Sequence, residues 1–311
     1  MPAHRALTIG NFDGVHRGHQ ALIDCTVRTA RERGWVPTVV TFEPSPAAWF
    51  ARERGAAAPI RLQRLRDKLS CLWSLGIEHI HAIRFDNTIA QMTPDAFCDT
   101  VLREALGVRW LIVGEDFRYG HKRSGDIASL RRWAAQFNVE CQVLPAVGAP
   151  KARFSSSLVR DALAKGDCAL AAAVLGRPYR ISGKVIHGQK LGRTLGFPTL
   201  NIALWSPLPL SGVFAVRVHG IEVTGREPLP GAASVGVRPT VADGGRPLLE
   251  VHLLDFSGDL YGRRVVVEFV EFLRPEIRFH SIAAMLDAMR SDVARAREVL
   301  AGRQAAIAEV A

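Results

Sequence analysis

Two histidines three residues apart, His16 and His19, follow a glycine-bounded turn, Gly10-Asn11-Phe12-Asp13-Gly14, which itself follows a short apolar run, Ala6–Ile9. Imidazole is the side chain best able to offer a hydrogen-bond donor that responds to charge near neutral pH. At i, i+3 two of them project from one face of a helix's first turn. Helix N-termini expose N–H groups and the positive end of the dipole, so anionic oxygens bind there. Flanking glycines let the backbone come close to a nucleotide. Run, turn and paired histidines together describe a site that could stabilise charge building up on a phosphorus under attack. The plain alternative, a tight turn and a surface helix, leaves the placement directly after the first strand unexplained.

Further segments fall at the ends of later apolar runs. Thr41-Phe42-Glu43-Pro44-Ser45-Pro46 closes the second run, and Val113-Gly114-Glu115-Asp116-Phe117-Arg118-Tyr119-Gly120 closes a later one. Asp116, next to Gly114, could accept a hydrogen bond from a base or a ribose. Ser155, Ser156 and Ser157 supply hydroxyls and N–H groups where a helix should begin, with Arg160 one turn on, a set suited to a polyphosphate. Singly, each reads as a turn, a loop ion pair or an N-cap. Their common place on one rim of a sheet is what favours a ligand.

The elements that must hold these groups alternate. Ala6–Ile9, Val36–Phe42, Ile77–Ile83, Trp110–Val113 and Val139–Leu144 read as strands, separated by helical patterns over Gly18–Arg33, Arg61–Leu75, Pro94–Leu106 and Ser129–Phe137. That rhythm predicts an α/β, Rossmann-like parallel sheet with helices on both faces. It stops near Gly176-Arg177-Pro178. Beyond lie short apolar stretches broken by Gly and Pro, namely Ile181–Ile186, Val213–Val218, Ala232–Val237, Leu248–Phe256 and Val265–Phe272, which predict a small antiparallel barrel. A helix from Ser281, its N-cap, to about Ala301 ends the chain. We therefore expect two domains, 1–178 and 179–311.

The second half carries a dense motif from Gly183 to Asn201. Gly188 and Gly192 superficially suit a phosphate-binding P-loop, but they stand one residue too close, and Arg193 occupies the position where Lys is required. Glu250 sits within the apolar stretch Leu248–Leu254, where a carboxylate is unfavourable unless paired or used; a solvent-facing edge position is its plain alternative.

The 311 residues are 48% hydrophobic and 23% charged, which excludes a disordered chain, a collagen and a disulfide mini-protein. No apolar run nears the ~18–20 residues that span a bilayer, and the N-terminus has no signal pattern, so we expect a cytoplasmic protein without membrane contact. The five cysteines are widely spaced with no C-x-x-C, as for reduced, mostly buried thiols. The net charge of +10 fits anionic small substrates, nucleic acid or an Arg-rich solvated surface. Arg61, Arg64, Arg66 and Lys68, on one predicted helix, are the best support for a nucleic-acid-binding regulator. Against that reading, aromatic residues are only 7%, few to stack bases. None of these patterns sets the oligomeric state.

The run from Gly10 to His19, with T-F-E-P-x-P, V-G-E-D-F-R-Y-G and S-S-S-L-V-R, resembles the adenylyltransferase module of the bacterial bifunctional riboflavin kinase/FMN adenylyltransferase (FAD synthetase) family. The segment 183–201 resembles that family's kinase signature, as do 235–240, 249–262 and Leu273-Arg274-Pro275-Glu276. The resemblance runs from about Leu7 to Arg297. It implies that His16 and His19 bind ATP phosphates and the transition state. It implies a nucleotide loop shaped by Gly10, Asn11, Phe12, Asp13 and Gly14, with Gly114, Asp116 and Ser155 beside it. Ser156, Ser157 and Arg160 would form a phosphate loop. In the kinase half, Gly188, Gly192, Arg193, Gly196, Phe197, Pro198 and Arg274 would bind ATP and riboflavin. Thr199 and Asn201, hard oxygen donors, would hold Mg²⁺, and Glu250 would be the general base. Ser45 stands where many relatives have His and gets no catalytic role; His187 and His252 stay unassigned. The implied activity is riboflavin to FMN, then FMN to FAD, with ATP as co-substrate. Retention of one activity alone is the nearest alternative.

Overall fold

In a computed structural model, which describes residues 4–149, 152–188, 196–204, 206–221, 228–237 and 247–308, the chain divides into two compact units. One is Met1–Pro59 with Gln63–Ser156, the other Ile60–Leu62 with Ser157–Ala311.

The first unit holds a five-stranded parallel sheet: β1 (Arg5–Ile9), β2 (Val36–Glu43), β3 (His79–Arg84), β4 (Val108–Gly114) and β5 (Glu140–Leu144), in the order β3-β2-β1-β4-β5. Period-two alternation splits the strands between two cores. Leu7, Ile9, Leu111 and Val113 pack with Val101, Leu102, Leu130 and Trp133 on one face. Ala6, Trp110 and Ile112 pack with Leu22 and Ala30 of α1 (Arg17–Arg33) on the other, where Val39 meets Ile23, Val27 and Leu72. Connections leave β1 toward β2 on one side, whereas β4 pairs on its opposite side. The strand order therefore reverses between β1 and β4, and a ligand crevice opens beyond their carboxyl ends. The turn after β1 and the loop after β4 border that crevice.

Several elements depart from expectation. A short helix, α2 (Pro46–Glu53), follows β2, and the helix expected over Arg61–Leu75 is α3, Leu65–Ser74, with Arg64 at its N-cap. Residues 61–64 lie outside it, and Lys68 is turned inward, 7% exposed. The four cations therefore share no helix face. Pro94–Leu106 is not one α-helix: Pro94–Phe97 passes into a π-helical stretch, Cys98–Ala105. Short helices Pro46–Glu53 and Asn87–Gln91 were not read from the sequence. Ser45 caps the first of these, accepting from Ala48 N–H at 3.3 Å. Among the described residues no disulfide forms, and of the five cysteines only Cys98 and Cys168 are buried.

Two short strands, β6 (Gly148–Ala149) and β7 (Ala152–Arg153), follow β5. The second unit is built from β8 (Tyr179–Ile186), β9 (Leu200–Ile202), β10 (Gly212–His219), β11 (Leu229–Val237), β12 (Pro247–Leu253) and β13 (Arg264–Arg274), which close into an antiparallel barrel in the order β10-β11-β12-β9-β8-β13. Phe214 and Phe269 meet edge to face at 5.4 Å in its interior. The C-terminal helix, Ile282–Ala308, is longer than expected. Ser281 caps it, accepting from Ala284 N–H at 3.1 Å. Ala296 and Leu300 pack on Val213, Ala215, Val270 and Leu273. Helices Ser156–Ala164 and Cys168–Leu175 precede the barrel. No helix among the described residues is long and apolar enough to cross a membrane.

Candidate functional site

In the first unit the turn from Gly10 to His16 forms one wall of a cleft of about 1180 Å³. Phe12 and Val15 hold left-handed φ values of 49° and 43°, and both side chains are fully buried. Non-glycine residues keep such values only where packing over-determines them. His16 is not a helical residue but the N-cap of α1, its Nδ1 accepting from His19 N–H at 3.4 Å. An accepting Nδ1 places the proton of the neutral ring on Nε2. The two imidazoles stack, centroids 3.7 Å apart and planes at 23°.

Burial, then the Arg153 guanidinium, lowers the His16 pKa to about 4. Burial, then the His16 ring and Lys68, holds His19 well below the ordinary histidine range. Both rings are thus neutral N–H donors at neutral pH, where the spacing alone had suggested protonatable ones. His19 Nδ1 is buried with no hydrogen-bond partner among the described residues.

This geometry carries a pH signature. The folded state binds fewer protons at His16 than the unfolded chain does between the ordinary value of 6.5 and about 4. Stability is therefore fully present above pH 6.5 and falls as pH drops through that window. The loss should be on the order of 3 kcal/mol. His16→Asn keeps an N-cap acceptor and removes the titrating group. Urea unfolding at pH 7 and pH 4.5 should show a smaller acid loss in the variant; an equal loss would rule His16 out as its source.

The other predicted residues fall as follows. Ser156 Oγ donates to Asp13 O at 2.8 Å, tying the serine run to the turn. Asp116 pairs with Arg153 at 2.8 Å on the cleft wall. Gly114, Ser155 and Asn11 also line the cleft. Ser157 and Arg160 belong to the second unit, where Arg160 Nε donates to Ile60 O at 2.6 Å. Sequence reading passed over Arg153, which sits in a short strand with no periodicity to mark it. It also passed over an aromatic alcove at the cleft: Trp49, Phe50 and Phe85, with Phe42, meet edge to face at 4.9–5.8 Å.

In the barrel, register places Ser234, Glu250 and Asn201 side by side across β11, β12 and β9. Leu249 and Val251 are fully buried while Glu250 and His252 are half-buried, so Glu250 stands on the face opposite the apolar interior. Asn201 is 6% exposed, and its Oδ1 has no hydrogen-bond partner among the described residues. A Cβ on Gly188 would collide with the Asn201 amide, so only glycine permits this approach. Thr199 is half-buried just before β9. His252 bonds Pro198 O at 2.9 Å and meets the Phe197 ring at 5.4 Å; His187 lies against Tyr261 at 3.8 Å. Arg274 is bidentate on Asp292 of the C-terminal helix, at 2.8 and 2.7 Å. Gly192 and Arg193 lie outside the described residues, as do 238–246.

A parallel sheet with a donor pair at its switch point, joined to a closed antiparallel barrel, defines a two-unit α/β nucleotidyltransferase–β-barrel protein. Residues 1–158 match the family model described as FAD synthetase, and 175–300 the one described as riboflavin kinase. The chain is 44% identical over 290 residues, 93% of this chain and 89% of the relative, to the bifunctional riboflavin kinase/FMN adenylyltransferase of Escherichia coli (strain K12). It is 43% identical over 303 residues, 96% and 95% of the two chains, to the Pseudomonas fluorescens protein of the same description. A crystal structure described as a macrolide-efflux protein from Streptococcus pneumoniae shares the fold, with TM-score 0.80 at 28% identity over 96% of this chain and 95% of that one. The chain belongs to the bifunctional riboflavin kinase/FMN adenylyltransferase family.

Proposed function

We propose that the chain makes both flavin cofactors in sequence, with residues 179–311 phosphorylating riboflavin to FMN and residues 1–178 adenylylating FMN to FAD. The observation that carries this is the stacked, neutral His16–His19 pair at the sheet's switch point, in a chain that also holds the Asn201–Glu250 register.

In the adenylyltransferase cleft an oxygen of the FMN phosphate attacks the α-phosphorus of ATP in line, and pyrophosphate leaves. A phosphate nucleophile needs no strong base, so the work is alignment and charge stabilisation. His16 Nε2–H donates toward the charge that develops. The backbone of Gly10–Gly14 takes the nucleotide, and Ser155 and Ser156 take phosphate oxygens. The aromatic alcove takes the flavin ring, whose flat apolar face suits edge and face contacts.

In the barrel Glu250 accepts the proton of the riboflavin 5′-hydroxyl as its oxygen attacks the γ-phosphorus of ATP, with ADP as leaving group. Thr199 and Asn201 fit a magnesium ion: both offer hard oxygens, and the buried Asn201 Oδ1 has no hydrogen-bond partner among the described residues. Bound there, Mg²⁺ would neutralise triphosphate charge. Gly188 and Gly196–Pro198 take the ATP and riboflavin, a role that the resemblance extends to Gly192 and Arg193. We assign the enzyme to the cytoplasm, with riboflavin, FMN and ATP rather than nucleic acid as its partners.

Incubation with riboflavin and Mg-ATP, with flavins separated by chromatography over time, should show riboflavin passing to FMN and then FAD. Folded protein that converts neither riboflavin nor supplied FMN would falsify the reading. Excess chelator should abolish both steps; full kinase turnover in its presence would show that Thr199 and Asn201 serve no metal.

A further inference from the structure

Among the described residues of the first unit, Lys68 is the only buried lysine, arginine, aspartate or glutamate, and the chemistry above leaves it unused. An ammonium is buried at a large free-energy cost unless its donors are satisfied. Lys68 Nζ donates to Asn11 O at 3.1 Å and to Thr41 Oγ1 at 3.0 Å. The Thr41 hydroxyl itself donates to Asn11 O at 3.3 Å. Lysine, threonine and carbonyl form a closed triangle joining α3 and the end of β2 to the turn after β1.

The carbonyl they hold is the decisive one. Asn11 C=O belongs to the peptide that enters Phe12, and the orientation of that peptide is what the left-handed φ of Phe12 requires. A strained φ of this kind reverts unless neighbouring groups prevent it. Phe12 in turn carries its ring to 5.0 Å from the His19 ring. Released, the turn would relax toward ordinary φ values and take the histidine pair out of alignment.

We propose that Lys68 is a positioning residue for FMN adenylylation: through the Asn11 carbonyl it locks the left-handed turn on which Phe12 and the His16–His19 pair are set. The inference rests on the reading of the first unit as the adenylyltransferase. The Lys68 charge also acts on His19: burial first, then His16 from the cap of α1 and Lys68 from α3, hold that ring neutral. A residue that served packing alone would not touch the His19 titration.

Lys68→Met in the full-length chain removes charge and donors at near-constant volume. FMN adenylylation should lose about 10²-fold in kcat, the usual effect of a small misalignment of catalytic groups. KM for FMN should move by less than about threefold, since the lost interaction is not one of ground-state binding. Riboflavin phosphorylation by the same chain should be unchanged. The His19 ring, followed by NMR, should titrate at higher pH than in the parent. Thr41→Val keeps the charge and removes one bond to Asn11 O; it should lower kcat about tenfold and leave the His19 titration where it was. Parental kcat in Lys68→Met overturns the proposal. If Lys68→Met loses both activities through unfolding, Thr41→Val decides: a tenfold loss confined to adenylylation supports the clamp, and parental kcat overturns it. If the parent chain itself makes no FAD from FMN, the reading of the first unit fails. The His19 titration, which needs no substrate, still decides whether Lys68 acts on that ring.

Discussion

Glu250→Gln lowers riboflavin phosphorylation by about 10²–10⁴-fold, the usual worth of a general base, while FMN supplied directly still becomes FAD. The amide keeps the shape of the carboxylate and cannot take the hydroxyl proton. Glu250 sits between Ser234 and Asn201 on the half-buried face of β12, so the substitution leaves Leu249 and Val251 in place and the barrel closed. Chromatography of the flavins with riboflavin or FMN as the starting substrate separates the two steps. Loss of FMN adenylylation as well, in a variant whose circular dichroism matches the parent, would sink the two-site assignment.

The complementary loss is expected from His19→Ala: riboflavin is still phosphorylated, FMN accumulates, and FAD formation falls about 10²-fold or more, because a donor to transition-state charge is gone. The same change removes the ring that stacks on His16 at 3.7 Å and meets Phe12 at 5.0 Å. Part of the loss should therefore reflect disorder in the remaining histidine. His19→Gln, which restores bulk and an N–H donor, should recover some of it. The two substitutions fall in separate compact units. Their effects should then add in the double variant, as for sites without shared partners. Normal FAD production by His19→Ala would remove His19 from the site.

Much of this protein is legible without coordinates. The runs at residues 5–9, 36–43 and 108–114 are near-continuous apolar strands, the pattern of a sheet covered on both faces. The stop at Gly176-Arg177-Pro178 marks where that period ends. The motif around His16 and His19 is read from residue type and spacing, because its chemistry is local: a turn, a cap and two rings within ten positions. Elements without a full period escaped. The strand Leu200–Ile202 is three residues long, too short to show alternation, and pairs with β8 and β12. Glu268 reads as one more charge in an apolar run, yet it is 4% exposed and met by Arg180, Arg217 and His219 from two other strands.

Sequence by itself determined the two-part architecture, the histidine pair, the serine run and the carboxylate of β12, since each is written in contiguous residues. Tertiary structure decided what those residues are in chemical terms. It made His16 a cap and both imidazoles neutral, because desolvation and the charges of Arg153 and Lys68 come from elements distant in the chain. It turned Lys68 from a presumed surface cation into a buried clamp 57 residues from the carbonyl it holds. It also set Glu250 beside Asn201, a neighbour created only when the barrel closes and strand register is chosen by which face can be buried.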